Sequence, residues 1–483
     1  MSLAPSVEKI GGTSIAAVDT VLDNVLIAGR SGAALYGRIF VVSAYAGITD
    51  LLLDRKSPGG DNAPFGLFAR FAAEAEATPW TDALQAVDEA MRAKNAEMFG
   101  DRPQHKIADA FVAARIAGIG DCMTDLDRLR RHGHFGLEEP LATLRELLAG
   151  LGEAHSAHNT ALLLQAHGVN ARFVDLGSWD DPQPLDLDER IRRGLDGIDL
   201  ATTLPLVTGY ARCAGGMVGR YGRGYSEITF ARLAVLTGAC EAIIHKGFHL
   251  SSADPKLVGA DAARKIGHTN YDVADQLANL GVEAIHPGAA RGLRQAGIGL
   301  RVRNTFDRHD EGTLISADYV SATPRIEIVT GRRDIVALQF FEQDMVGKKG
   351  YDAAILEVLT RHRAQIVSKA SNANTITHYL AAGPDVVRRV IADLTARFAN
   401  AEVIARPVAI VSLIGSDISA PGCVAAALAA LGTAGITVLG MQHQLRHVDV
   451  QFIIEPEGFD TPIRALHADL VTTATAPPLV RAA

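Results

Sequence analysis

Four short segments carry residue types able to handle a phosphorylated ligand. The first is Val7–Ser14, VEKIGGTS. Two glycines after a strand let the backbone approach a phosphate closely, and a helix N-terminus beyond them favours an anion. Lys9 adds a fixed positive charge. A plain tight strand–helix turn would read the same way. The second is Phe40–Asp50, FVVSAYAGITD, a strand running into small residues with Ser43 at its end. The third is Gly152–Glu153, with Ser156 one turn further on. The fourth is Gly219–Glu227, GRYGRGYSE, flexible enough to wrap a ligand and bearing Arg223, Ser226 and Glu227. An arginine here either grips a carboxylate with two parallel hydrogen bonds or is a solvated surface charge. Neither a GxxxxGK[ST] phosphate loop nor the protein-kinase signatures occur.

The elements around these segments alternate in type. Val7–Ile10, Arg38–Ser43, Ala171–Leu176, Pro205–Thr208, Glu241–His245 and Leu300–Arg303 read as strands, separated by helical patterns. That alternation predicts a parallel sheet covered by helices on both faces, with ligands at the carboxyl edge of the strands. Leu84, Val87, Met91 and Met98 form a helical stripe for core packing that starts after Thr78–Pro79 and stops at Gly100. Ser57–Pro64 and Asp180–Pro184 read as loops. The character changes near Ser321. A strand–helix–strand–strand–helix order begins at Ile335–Phe341 and recurs from Val408–Leu413, which makes a duplicated unit. Such a pair suits a regulatory or dimerising platform.

Bulk properties narrow the function. A chain of 483 residues predicts two to four domains. A net charge of -8 argues against nucleic-acid and anionic-membrane partners. Cys122, Cys213, Cys240 and Cys423 form no CxxC pair, so neither a disulfide framework nor a zinc site is expected; buried, inert thiols are. The first ten residues hold no signal-peptide pattern and no stretch has transmembrane length, so a cytoplasmic location is expected.

Taken in order, the segments resemble the motifs of aspartate kinases. VEKIGGTS, FVVSAYAGITD and GRGYSE are followed by SADPKLV (Ser252–Val258), AIHPGAA (Ala284–Ala290) and RVRNTF (Arg301–Phe306). The wording of KIGGTS, GRGYSE and IIHKGFHLSSADP is most similar to the aspartate kinases of bacterial ectoine gene clusters. The resemblance implies an α/β fold: a three-layer αβα amino-acid-kinase domain over residues 1–321, then tandem ACT-like (βαββαβ) domains at 326–402 and 403–483. In this family one ACT domain is often inserted into the other. It implies transfer of the ATP γ-phosphoryl group, with magnesium, to the β-carboxylate of L-aspartate. It implies Lys9 and Glu227 as catalytic residues. Ser43, Glu153, Arg223 and Ser226 would hold aspartate. Lys9, Gly11, Gly12, Thr13, His245, Lys246, Ser251 and Lys256 would hold ATP. A homodimer or homotetramer through the ACT-like domains is implied too.

Some positions depart from the family pattern. Glu227 stands for an aspartate, His245–Lys246 for threonine–aspartate, Ser251 for tyrosine and Glu283 for lysine. Lys246 and Glu283 together read as a swapped charge pair. Gly435–His447, GITVLGMQHQLRH, carries the bulky Leu445, Arg446 and His447 where lysine-inhibited relatives have a small polar loop, so weak lysine inhibition is expected. Two other functions stay open on the sequence: a kinase for another carboxylate such as N-acetylglutamate, and a regulatory subunit with a decayed nucleotide site.

Overall fold

The structure is a computed structural model and describes residues 4–53, 66–73, 80–179, 181, 183, 185–282 and 284–471. The loop expected at Ser57–Pro64 and the cap at Thr78–Pro79 lie outside the described residues, as does Glu283. The chain forms two compact units, Met1–His249 with Ile285–Ala317, and Leu250–Ala284 with Asp318–Ala483.

The first unit is built on a mostly parallel sheet. Its strands are β1 (Ser6–Ile10), β2 (Arg38–Val42), β3 (Ala171–Val174), β4 (Leu204–Thr208), β5 (Glu241–Lys246), β6 (Leu300–Asn304) and β7 (Thr313–Ser316). They run in the order β3-β4-β2-β1-β5-β6-β7, and only β7 is antiparallel to its neighbour within this unit. The central strands are buried on both faces, as a parallel sheet between helices requires. The helix Trp80–Phe99 buries Ala83, Val87, Met91, Asn95 and Phe99. Its stripe is thus shifted from the predicted one, repeating every fourth residue down a single line that faces its neighbour helices. Gly100, at φ 51°, ends it as expected.

A charged knot lies on one face of this sheet. β1 pairs in register with β2 and β5, which places Glu8, Arg38 and His245 on the same side. Arg38 Nε donates to Glu8 Oε1 at 2.8 Å, and the His245 ring nitrogen Nε2 donates to Glu8 Oε2 at 2.7 Å. Arg38 also donates to the carbonyls of Val25 and Leu26. Burial works to raise the Glu8 pKa, but Arg38 and His245 outweigh it and hold the carboxyl well below its ordinary range.

The second unit is a six-stranded antiparallel sheet. Its strands are β8 (Ile328–Phe341), β9 (Gln365–Ser371), β10 (Thr375–Ala381), β11 (Glu402–Ile414), β12 (Val438–His443) and β13 (Asp449–Ile454), ordered β9-β10-β8-β11-β13-β12. The duplicated unit is there, but its halves are interleaved. β8 and β11 pair along their whole length with a register break between Val408 and Ile410. On one side of the break, Ile335–Phe341 pairs with β10, and Glu402–Val408 closes that module. On the other, Ile410–Ile414 pairs with β13 and Ile328–Arg332 closes the second module. A boundary at 402/403 therefore cuts through a shared strand. The boundary at 321 also moves, for a packing reason. The modules' own helices cover one face of the sheet, and its other face needs a cover. Leu250, Ile266, Val273, Leu277 and Leu280 supply one, packing against Ile335, Ala337, Val408, Ile410 and Ile453. Leu445, expected to fill an effector space, is 95% exposed, and Arg446 pairs with Asp272. Among the described residues no helix is long and apolar enough to cross a membrane. All four cysteines are free, but Cys122 and Cys240 are exposed rather than buried, Cys122 on a helix and Cys240 in the turn just before β5.

Glu8→Gln should destabilise the protein by roughly 3 kcal/mol, since it leaves the Arg38 charge buried without a counter-charge. The Glu8 carboxyl has a folded pKa below its ordinary value of 4.5. Its contribution is therefore complete above about pH 4.5 and is lost as the pH falls further. Thermal melts of both proteins between pH 3 and pH 7 check this: their midpoints should converge toward the acid end.

Candidate active site

The carboxyl ends of β1, β2, β4 and β5 lie at one edge of the parallel sheet, and the residues singled out by sequence gather there. β1 ends in Gly11, whose N–H donates to the His245 carbonyl at 3.2 Å. That amide is therefore committed and not open to a phosphate. The short helix Gly12–Ala16 follows, and its first N–H groups have no partner within the helix. A Cβ on Gly12 would lie 2.6 Å from the Ala44 carbonyl oxygen, so only glycine lets the two turns meet. Thr13 is exposed in the first turn. Ser43 ends β2, half-buried; its N–H donates to Ile10 and its carbonyl accepts from Ser156 Oγ at 2.7 Å.

Lys9 points to the sheet face opposite the Glu8 knot, because neighbours along a strand alternate. On that side it meets Glu227, with Nζ 3.5 Å from Oε1. Lys246, on the same face of β5, stands 4.0 Å from the same oxygen. The other Glu227 oxygen accepts the His286 N–H. Burial raises the Glu227 pKa, but the two lysines more than offset it and the net shift is downward. The carboxylate is thus a fixed anion that holds two ammonium groups in place.

Glu153 comes from the long helix Glu138–Ala166. Ser226 Oγ donates to its Oε1. Its Oε2 is buried with no hydrogen-bond partner. Burial pushes its pKa up to about 8, against the opposing pull of the Ser226 hydrogen bond and Lys9. A Cβ on Gly209, at the end of β4, would lie 2.7 Å from Ser226 Cβ and 3.0 Å from Glu153 Oε1. Only glycine here lets the backbone after β4 approach the pair so closely. Arg223 lies in the turn Gly222–Gly224, just ahead of the helix Tyr225–Leu236 that delivers Ser226 and Glu227; its side chain is outside the described residues.

Three further residues are expected nucleotide contacts. His245 is on the other face of the sheet from Lys9, where its ring is held by Glu8. Ser251 and Lys256 belong to the second unit, where Ser251 Oγ donates to the Ala253 carbonyl at 2.7 Å and Lys256 is exposed in the short helix Pro255–Val258. Lys246 does join the site, but through Glu227. The proposed partner Glu283 lies outside the described residues. Among the described residues, one group with metal-ligand spacing occurs: His249 Nε2 is 3.5 Å from Asp307 and Nδ1 is 3.7 Å from Asp310. Sequence reading missed Glu146, seven residues before Glu153 on the same helix. Its carboxylate accepts from Tyr210 Oη and from the amides of Met217, Val218 and Gly219.

Comparisons with known proteins establish the family. The model of the amino acid kinase family matches residues 5–304. An aspartate kinase of Stutzerimonas stutzeri, Ask_Ect, is 47% identical over 466 residues, which is 96% of this chain and 97% of the relative. The chloroplastic aspartokinase 3 of Arabidopsis thaliana is 24% identical over 75% of this chain and 68% of its own. Among solved structures, E. coli aspartokinase III in complex with aspartate and ADP superposes with a TM-score of 0.71 at 19% identity, covering 96% of this chain and 99% of that one. At that identity the superposition speaks for the fold, while the full-length sequence match carries the narrower assignment. The chain belongs to the amino acid kinase family and, within it, to the aspartate kinases.

Proposed function

We propose that the edge of the first unit holds L-aspartate by both of its backbone charges and presents the side-chain carboxylate to MgATP. The observation that carries this is the Glu153 carboxyl, buried beside Ser226 with one oxygen unpaired. A carboxyl buried in this way stays protonated until a cation reaches it, and a substrate ammonium would supply both the counter-charge and the hydrogen-bond donors. Ser43, Ser226 and Arg223 suit the α-carboxylate. Lys9 and Lys246 are a positive pair suited to phosphate oxygens, with Glu227 fixing their positions. The backbone of Gly12 and Thr13 adds uncommitted donors. This donor set favours an anion over a resident divalent ion, so magnesium is expected to arrive with the nucleotide.

The chemistry needs little more. One carboxylate oxygen attacks the γ-phosphorus, and the bond from that phosphorus to the β–γ bridging oxygen breaks. ADP departs with the electron pair, and 4-phospho-L-aspartate remains. The nucleophile is already ionised, so no general base is required. Positioning and neutralisation of charge account for the rate. The resemblance to ectoine-cluster kinases supports a product that continues through aspartate semialdehyde to ectoine. Self-association through the second unit fits the same reading. Its edge strand β12 exposes Leu439 and Met441, and Leu445 stands just beyond it.

With magnesium and ATP, the purified protein should convert aspartate to an acyl phosphate that hydroxylamine traps. Glutamate should react far less, since an extra methylene misplaces the carboxylate in a site fixed at its other end. Equal turnover of the two would overturn the substrate assignment.

Arg223→Ala should raise the KM for aspartate and lower kcat/KM by the equivalent of about 2–4 kcal/mol, with the KM for ATP little changed. Steady-state kinetics with each substrate varied in turn checks it. A fall in ATP affinity instead would move this loop to the nucleotide.

A further inference from the structure

We propose that Glu146 is a positioning residue for the aspartate subsite, holding the base of the loop that carries Arg223; this rests on the assignment of that loop to aspartate. A carboxylate offers about four acceptor sites. Glu146 has four donors on it. Oε2 accepts from Tyr210 Oη at 2.9 Å and from the Met217 N–H at 2.9 Å. Oε1 accepts from the amides of Val218 at 2.9 Å and Gly219 at 3.2 Å. A single side chain therefore gathers three consecutive amides at the start of the loop and ties them to the end of β4.

The surroundings are cut to fit. Gly216 has φ 69°, and a Cβ there would lie 2.5 Å from Glu146 Oε1, so any other residue would displace the carboxylate. Gly150, one turn along the same helix, leaves room for the Tyr210 ring, which would stand 2.7 Å from a Cβ. That ring packs edge-on against Tyr225, with centroids 5.6 Å apart. The far end of the loop returns to the same helix: Tyr225 Oη donates to the Ala149 carbonyl at 3.4 Å, and Ser226 donates to Glu153. Glu146 and Glu153 are seven residues apart, two turns, and so lie on one helical face. The helix thus pins the loop at both ends, and Arg223 lies between the pins.

The consequence is specific to one substrate. Loosening the first pin frees Arg223 to wander while Lys9, Lys246 and Glu227 stay where they are. Misplacing a group by about an ångström is enough to cost orders of magnitude in rate. Glu146→Ala should therefore raise the KM for aspartate about tenfold with the KM for ATP within about twofold. Glu146→Gln, which keeps one acceptor oxygen but turns an N–H toward the amides, should fall between Ala and wild type.

The decisive comparison is Glu146→Ala made with and without Arg223→Ala. If Glu146 acts through Arg223, its effect on the aspartate KM largely disappears in the Arg223→Ala background. Strictly additive effects would overturn the proposal. So would a parallel rise in both KM values with a lowered melting temperature in Glu146→Gln, which marks a merely structural role. If Arg223→Ala alone leaves the aspartate KM unmoved, the assignment of the loop has failed, and the proposal falls with it for that separate reason.

Discussion

A carboxyl buried at the edge of the sheet sets the terms for the rest of the first unit. Glu153 is held in the protein interior, where an unpaired charge is very costly. It answers this by staying largely protonated, with a pKa near 8, and by bonding one oxygen to Ser226. The other oxygen is buried with no hydrogen-bond partner. A side chain at Gly209 would collide with Ser226 and with Glu153 Oε1, and the helix Tyr225–Leu236 delivers Ser226 and Glu227 as neighbours in its first turn. A positively charged hydrogen-bond donor, such as the ammonium group of the proposed substrate, would complement the Glu153 carboxyl.

The second anion of the site, Glu227, is arranged oppositely. Burial raises its pKa, but Lys9, Lys246 and the His286 amide together shift it downward. The result is a lysine–carboxylate–lysine cluster, with Lys9 3.5 Å and Lys246 4.0 Å from the same Glu227 oxygen. The departure at Lys246 keeps a charged side chain in this cluster. It places a second cation on the same carboxylate as Lys9, and it weakens the case for a purely regulatory subunit.

The local chemistry was legible in the sequence because it is written in short spacings. Lys9 before two glycines, Ser226 next to Glu227, and Glu153 behind a helical glycine each need only a few neighbouring residues to be read. The order of the strands and the repeat in the second half were legible for the same reason. What was hidden depends on pairing between distant segments. Whether His245 or Lys246 faces Lys9 is decided by the register of β1 against β5, which lie over 230 residues apart. The placement of 250–284 follows from the uncovered face of a sheet that begins some 45 residues later, at Ile328. The interleaving is invisible to a repeat search, because the two long strands swap their halves without disturbing the order of elements. Glu146 left one faint sign, its seven-residue distance from Glu153, which becomes meaningful only once the loop 217–219 is seen to lie against it.

The state of Glu153 can be measured directly. Calorimetric titration with aspartate at pH 7, in two buffers of different ionisation enthalpy, counts the protons that move on binding. Glu153 begins largely protonated, with a pKa near 8, and must ionise to receive the ammonium group. The wild-type protein should therefore release about one proton per aspartate bound, and Glu153→Gln should bind more weakly and release none. Binding heats that are independent of buffer in the wild type, or the same proton release in Glu153→Gln, would contradict the account.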